Sequence, residues 1–253
     1  MSGAIRALAT FWNEDPDRFV FLLEELGVEL KAQGLASPAI VDCRNGALPP
    51  RFLLSDAKSE RVRGLKGVAR GEVPFVKAAE TDLLSKSAVS PGTRLYFALA
   101  DEESASRVRA SIDDVFVVVR PTSESTSFLF ALARNNPSTE GRYPRYHVLV
   151  SGVPKIEDAA AFFVSLRDEL LKVNMGQAEY LFAGFYDIDL AKIEIARSCR
   201  VPYRDVFKGD SFYGQLAYAA RHLSDRVERV ETDLPLSGFF GALAPSSPSA
   251  RNR

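Results

Sequence analysis

The start of the chain changes from an alternating pattern of apolar and polar positions to a helical pattern and back again. Ile5 to Thr10 alternate in character, which predicts a short strand. From Phe19 to Leu30 apolar residues recur at helical spacing, and Gly34 then marks the helix end. Ala39 to Asp42 is an apolar run that ends in an acid and predicts a second strand. The chain therefore opens with a β-α-β unit.

Strand and helix patterns continue to alternate along the rest of the chain. The strongest strand signal is Val115 to Val119, an unbroken and mostly β-branched apolar run typical of a central strand covered on both faces. Further strands are predicted at Leu95 to Ala100, His147 to Val150 and Tyr180 to Phe185, with a short or extended segment at Val201 to Tyr203. Helices are predicted at Val76 to Ser85, Glu102 to Ile112, Phe128 to Arg134, Ile156 to Val173, Asp189 to Cys199 and Ser211 to Val227, and a polar loop at Arg120 to Ser127. This alternation predicts a three-layer α/β/α fold with a mainly parallel, doubly wound sheet.

We expect residues 1–230 to form a single domain of this kind. Residues 231–253 have a different composition: the stretch Leu234 to Ala244 is apolar and small, and the residues after it are rich in Ser and Pro. Such an ending predicts a tail that carries one short apolar segment and then becomes disordered.

The loop between the first strand and the first helix is where a β-α-β unit places a ligand. It reads Trp12, Asn13, Glu14 and Asp15, and Asp17 follows in the first helical turn. Phosphate oxygens are normally held by glycine-rich backbone and a lysine. This loop has neither, and its carboxylates would repel a triphosphate.

Composition narrows the remaining possibilities. The chain has 253 residues and a net charge of −1, so no overall basic field exists to hold nucleic acid. Cys43, Cys199, His147 and His222 are the only cysteines and histidines, which argues against a structural zinc site and for reduced thiols in the cytosol. No secretory signal or membrane-spanning stretch is evident. We expect no metal and no cofactor.

The order of these segments resembles the MinD/ParA family of deviant P-loop ATPases, which includes flagellar-number regulators and pilus-assembly ATPases. The resemblance runs from about Ile5 to Leu243. The segments that carry it are Ile5 to Thr10, Phe19 to Gly34, Ile40 to Asp42, Gly64 to Glu72, Leu95 to Ala100, Asp113 to Ser123, Val148 to Val150, Gly184 to Asp187 and Val201 to Tyr203. In the family, the position of Asp42 lies near the attacking water and the metal, and dimers enclose ATP.

The departures from the family pattern concentrate at the nucleotide. The glycine-rich lysine loop is absent, Ser151 and Gly152 stand where the family has an adenine-binding asparagine, and Asp101 is the nearest candidate for a second metal-site aspartate. The resemblance therefore implies a catalytically inactive, degenerate member that acts as a regulatory or scaffolding protein in positioning a bacterial flagellum, pilus or polysaccharide-export machine. The alternative is a divergent ATPase of the same family that uses non-standard residues.

The candidate site residues carry ordinary interpretations beside the functional ones. The nucleotide-pocket remnant comprises Trp12, Asn13, Glu14, Asp15, Asp17 and Asp42. The acidic residues of this group are also explained by a helix start or a turn, where carboxylates accept backbone hydrogen bonds. Trp12 could fill the vacated nucleotide pocket, contact a partner or pack in the core. The hydroxyls from Ser123 to Ser127 suit an anion site or helix capping, and His147 suits a structural role.

The apolar segment of the tail is the remaining candidate. Leu236, Phe239, Phe240 and Leu243 could contact a membrane, a partner or the protein itself. The segment has no Lys or Arg to attract anionic lipid, and its glycines weaken a helix. The expected partner is a MinD/ParA-like ATPase or a component of the surface machine. The expected location is cytoplasmic, peripheral at the inner membrane if the tail binds lipid, and the oligomeric state stays open.

Overall fold

The computed structural model describes residues 3–11, 16–34, 39–42, 94–99, 112–135, 143–199, 203–227 and 230–232. The strands are β1 (Gly3–Phe11), β2 (Ala39–Asp42), β3 (Arg94–Leu99), β4 (Asp114–Val119), β5 (Arg145–Ser151), β6 (Glu179–Tyr186) and β7 (Val230–Thr232). The helices are α1 (Pro16–Ala32), α2 (Ser123–Asn135), α3 (Ile156–Val173), α4 (Leu190–Cys199), α5 (Tyr203–Val206) and α6 (Ser211–Arg226).

The strands form one sheet in the order β2-β3-β1-β4-β5-β6, and every neighbouring pair on this path is parallel. The short strand β7 adds to the start of β1 in the antiparallel sense, with Gly3 opposite Thr232. The chain reverses its strand order at β1, as a doubly wound sheet does. The predicted mainly parallel α/β fold is therefore confirmed.

Helices cover both faces of the sheet, so the fold has three layers. On one face α2 and α3 pack over Val115, Val117 and Val148. On the other face α1, α4, α5 and α6 pack over Phe97, Phe116 and Val118. Every residue of β4 is buried, which confirms that this apolar run is a central strand.

Two predictions differ from the structure. The segment Arg120 to Ser127 is not all loop, because α2 begins at Ser123 and not at Phe128. Its first turn is polar and mostly exposed, so apolar spacing does not reveal it, and the Thr122 hydroxyl accepts a hydrogen bond from the Ser125 N–H at 3.3 Å. Tyr203, expected in an extended segment, instead begins helix α5.

The antiparallel strand β7 lies in a charged segment that the apolar pattern did not single out. The predicted helix Val76 to Ser85, and all but the last residue of the predicted helix Glu102 to Ile112, lie outside the described residues.

Candidate functional site

The carboxyl ends of the parallel strands lie along one edge of the sheet, where doubly wound proteins bind ligands. The backbone of Asp42 ends β2 at this edge, and Asp17 lies in the first turn of α1, directly after β1. The other predicted pocket residues, Trp12 to Asp15, lie outside the described residues. The structure thus brings Asp17 and Asp42 to the same edge, with β3 between their strands.

The connection from β1 to α1 is short. It consists of residues 12–15, whereas the pattern G-x-x-x-x-G-K-[ST] places about six residues between the strand and the helix that carries the lysine. Helix α1 then starts at Pro16, which has no N–H to offer an anion. The chain therefore has fewer backbone donors here than a phosphate loop provides.

The turn between β4 and α2 lies at the same edge, beside β1. Its hydroxyls are used within the turn: the Ser125 hydroxyl accepts from the Arg120 N–H at 2.9 Å, and the Thr126 hydroxyl lies 3.0 Å from the Thr122 and Ser123 carbonyl oxygens. With the Thr122 cap, these contacts support the helix-capping interpretation of the serine-rich segment.

At the end of β5, the position where the family has asparagine holds a serine whose side chain is buried against the sheet. Ser151 is fully buried, and its hydroxyl points to the Val119 carbonyl oxygen at 3.4 Å. Gly152 has a φ of +71°, and its N–H donates to the Tyr186 carbonyl oxygen at 2.9 Å. Serine has no side-chain amide, and the buried Ser151 hydroxyl is directed to the backbone of the neighbouring strand β4. This position therefore cannot make the contact that an asparagine makes with a base.

The turn after β6 is held by helix α6. Within β6, Gly184 has a φ of +126°, and a Cβ there would lie 2.9 Å from the ring of Tyr218 on α6, so a larger residue would displace that ring. The Asp187 N–H donates to Oε1 of Gln215 at 3.0 Å. Helix α6 therefore contacts both the end of β6 and the turn that follows it.

A network of buried polar side chains lies at the opposite edge, where β4 and β5 begin. Both carboxylate oxygens of Asp114 bind Arg145, at 2.9 and 3.0 Å. One of them also lies 2.8 Å from Nε2 of His147, whose Nδ1 lies 3.0 Å from Nε2 of His222 on α6. Asp114 and His147 are buried and His222 is half-buried. The network ties α6 to the middle of the sheet.

Sequence reasoning found only part of this network. His147 was assigned a structural role, which its burial and its partners support. The available signal was that Asp114 and Arg145, charged residues, open neighbouring buried strands, and the strand register does pair them. His222 gave no signal, because its helix is remote along the chain.

The network shifts two ionisations. Burial alone would raise the pKa of Asp114, but the hydrogen bonds from His147 and Arg145 outweigh it and the pKa is lowered. Burial, and then the neighbouring His147, lower the pKa of His222 to about 4. At neutral pH Asp114 is therefore a carboxylate and His222 is neutral.

A second polar cluster joins α1 to α5. Arg204 donates to Glu25 and Glu29, at 3.1 Å each, and its guanidinium lies 4.7 Å from the ring centre of Tyr213. Burial raises the pKa of Glu25 despite the opposing effect of Arg204. Nearby, Asp210 caps α6 through the Phe212 N–H at 3.0 Å. The Arg204 contacts explain how α1 is fixed to α5. The start of α6 lies toward the carboxyl edge, because Asp210 also pairs with Lys192 at 2.7 Å, in the first turn of α4 after β6.

The described residues contain no cluster of three or more His, Cys, Asp or Glu side chains that could hold a metal ion. They also contain no helix that is both long enough and apolar enough to cross a membrane.

Comparison with known proteins identifies the fold. No protein-family profile and no curated protein sequence matches the chain. Among solved structures it resembles a ParA family ATPase from Chlorobium tepidum, with 11% identity, a TM-score of 0.55, and coverage of 87% of this chain and 99% of that one. It also resembles the MinD cell division protein of Aquifex aeolicus, with 12% identity, a TM-score of 0.50, and coverage of 88% and 98%.

A third similar structure is the MinC:MinD cell division complex of Aquifex aeolicus, with 12% identity, a TM-score of 0.50, and coverage of 90% of this chain and 98% of that one. These identities are too low to transfer an activity, so they show the fold alone. The chain therefore has the MinD/ParA type of P-loop-NTPase-like α/β fold.

Proposed function

We propose that this protein is a catalytically inactive relative of the MinD/ParA ATPases that acts as a regulatory or scaffolding partner. The observation that carries the proposal is the β1–α1 connection. Residues 12–15 contain no glycine and no lysine, and the helix after them opens with Pro16 and Asp17. This is the place where the fold would otherwise hold phosphate.

The electrostatics of this connection oppose a nucleotide. Glu14, Asp15 and Asp17 would face an anion with negative charge where the family has a lysine. Two unit charges about 4 Å apart interact by about 1 kcal/mol in water, and by more where water is excluded. With no lysine in the connection and no N–H on Pro16 to offset it, this repulsion favours an empty pocket.

The MinD/ParA type of fold supports a function that depends on contact with other proteins. One of the similar solved structures is MinD in complex with MinC. We propose that this chain likewise works by protein contact, with a MinD/ParA-like ATPase or a component of a bacterial surface machine, in the cytoplasm. The segment with Leu236, Phe239, Phe240 and Leu243 is a candidate contact, and its lack of Lys and Arg favours protein over anionic lipid.

The second candidate is a divergent ATPase, and one observation favours it. Arg120 follows β4, the strand beside β1, and so brings a cation to the edge where phosphate would lie. If it replaced the missing lysine, Asp42 at the end of β2 would still be available near a metal.

Trp12 makes the test specific. It is the only tryptophan, so intrinsic fluorescence reports the β1–α1 connection alone. We expect Mg-ATP to cause neither a saturable fluorescence change nor heat in calorimetry up to about 1 mM, the upper end of usual KM values. Saturable binding with phosphate release, lost in both Asp42→Ala and Arg120→Ala, would overturn the proposal and establish the second candidate.

The partner role has its own test. We expect the chain to co-purify with a co-expressed MinD/ParA-like ATPase from the same genome, and the double variant Phe239→Ser/Phe240→Ser to weaken that association. Flotation with anionic vesicles is the matched control. Flotation of the wild-type chain, lost in the double variant, would assign the segment to lipid and contradict the protein contact.

A further inference from the structure

The network at the amino edge of the sheet forms a continuous chain of hydrogen bonds from Arg145 to helix α6. The Asp114 carboxylate can only accept, so Nε2 of His147 donates to it over 2.8 Å. In neutral His147 the other ring nitrogen, Nδ1, is then an acceptor. Nε2 of His222 must therefore donate across the 3.0 Å contact, which leaves Nδ1 of His222 without a proton. Every ring nitrogen between Asp114 and His222 thus has an assigned role.

One added proton leaves this chain intact. Whichever imidazole takes it, one nitrogen of the central contact still donates and the other still accepts. A second proton removes that option, because both imidazolium rings then present an N–H to the same 3.0 Å contact. Two positive rings would also face each other, with Asp114 already neutralised by Arg145.

We propose that the His147–His222 contact is a proton-sensitive latch that holds α6 against the sheet and opens when both rings are charged. Opening releases the end of α6 that carries His222. The rest of the fold keeps its strand pairing, because Asp114 and Arg145 remain joined at 2.9 Å.

The charged groups around the latch lie on several elements. On α6 itself, Arg226 opposes a positive charge on His222 and Asp225 favours it. The other elements in contact with α6 include β5, β6, α1 and α5. Their described charged side chains are Arg145, which binds Asp114, Arg204, which binds Glu25 and Glu29, and the exposed Glu179, Lys31 and Asp205.

The direction of the pH effect follows from linkage. His222 has a pKa of about 4 with α6 in place, against an ordinary value of 6.5 when the ring is free. The open form therefore binds more protons between these two pH values, and lowering the pH through this range favours opening. Above about pH 6.5 the latch stays closed.

Helix α6 connects the latch to the candidate site through its contacts. The ring of Tyr218 on α6 lies against Gly184, and Gln215 of the same helix holds the Asp187 N–H at the carboxyl edge. α6 also packs against α1, whose first turn follows the β1–α1 connection. A looser α6 would therefore change the contacts of the turn after β6 and of helix α1.

The test uses the fact that His147 and His222 are the only histidines. In the tag-free chain, two imidazole signals can be followed by NMR from pH 7.5 to 3.5, with hydrogen-exchange protection factors for α6 and α3 measured in parallel. We expect the His222 signal to titrate near pH 4, and α6 to lose protection at least tenfold more than α3 between pH 6.5 and 4.

Two variants complete the test. In His222→Gln the amide can donate to or accept from His147 without taking a proton, so the extra loss of protection in α6 should disappear. Arg221→Gln, an exposed position on the same helix, should keep it. Titration of His222 near 6.5, equal loss of protection in α3 and α6, or an unchanged pH response in His222→Gln would each overturn the latch.

Discussion

The two helical layers are joined to the sheet in different ways. In the described part of the chain, α2 and α3 are held by apolar contacts such as Phe163 on Phe182, and by a neutral hydrogen bond from Asn174 to Tyr180 at 2.7 Å. The layer of α1, α4, α5 and α6 has a comparable apolar core and adds buried charges. These are the Asp114 network and the Arg204 cluster.

This difference shows what each kind of contact contributes. Apolar burial stabilises both layers and depends little on pH or direction. Charged contacts in a buried place add little net stability, but they penalise any arrangement that separates the partners. The layer of α1, α4, α5 and α6 is therefore held in a more narrowly defined position on the sheet than the layer of α2 and α3. Its first helix, α1, follows the candidate site directly.

The largest expected effect comes from removing the centre of the Asp114 network. Asp114→Ala leaves the buried His147 and the largely buried Arg145 without their acceptor, and should cost about 3–5 kcal/mol of unfolding free energy. Urea unfolding at pH 7 measures it. Asp114→Asn, which keeps an acceptor oxygen, is the matched control and should cost less; equal losses would contradict the role of the charge.

A core truncation in the other layer should cost nearly as much without involving charge. Leu170 is 1% exposed in α3, and Leu170→Ala should lower the unfolding free energy by about 2–5 kcal/mol. The loss should be the same at pH 7 and pH 5, since no titrating group is affected. A loss that changed with pH would break the comparison between the layers.

Arg204→Ala should have a smaller effect, because its side chain is 33% exposed and water can take over part of its role. We expect a loss of about 1–3 kcal/mol, chiefly from Glu25, whose buried carboxylate would lose its partner. Arg204→Lys keeps the charge but not the fork that reaches both Glu25 and Glu29, and should recover only part of the loss. Full recovery of the unfolding free energy in Arg204→Lys would show that only the charge of Arg204 matters.

The smallest effect is expected at an exposed ion pair of the apolar layer. Lys172 lies 2.6 Å from Glu169 on α3, and both side chains are more than half exposed. Lys172→Ala should leave the urea midpoint unchanged within error, because exposed pairs contribute little. A clear loss would show that this layer, too, depends on charge.

Most of the fold could be predicted because its strands are short apolar runs separated by helices. Val115 to Val119 and Ile156 to Val173 were found from composition and spacing alone, and parallel order follows from their alternation. The start of α2 could not be predicted, because the turn at Ser123 is polar and is formed by hydrogen bonds to Thr122 and Arg120. Local hydrogen bonding leaves no periodic signal.

The candidate site stays a prediction, because Trp12 to Asp15 lie outside the described residues, although Asp17 and the backbone of Asp42 do lie at the expected edge. The latch could not be predicted, because His147 and His222 meet only after α6 has packed on the sheet. Contacts between distant segments depend on packing details that one sequence does not display. The same holds for Arg204, which meets Glu25 and Glu29 across the width of a helical layer.

The pairing of Gly3 with Thr232 has a practical consequence for engineering. Because opposite residues of an antiparallel pair lie about 5 Å apart, a short linker could close the described chain into a ring. New termini could then be opened at Met175, which is 83% exposed in the turn between α3 and β6. Such a rearranged chain would retain the strand neighbours of the described sheet while its ends lie in an exposed turn.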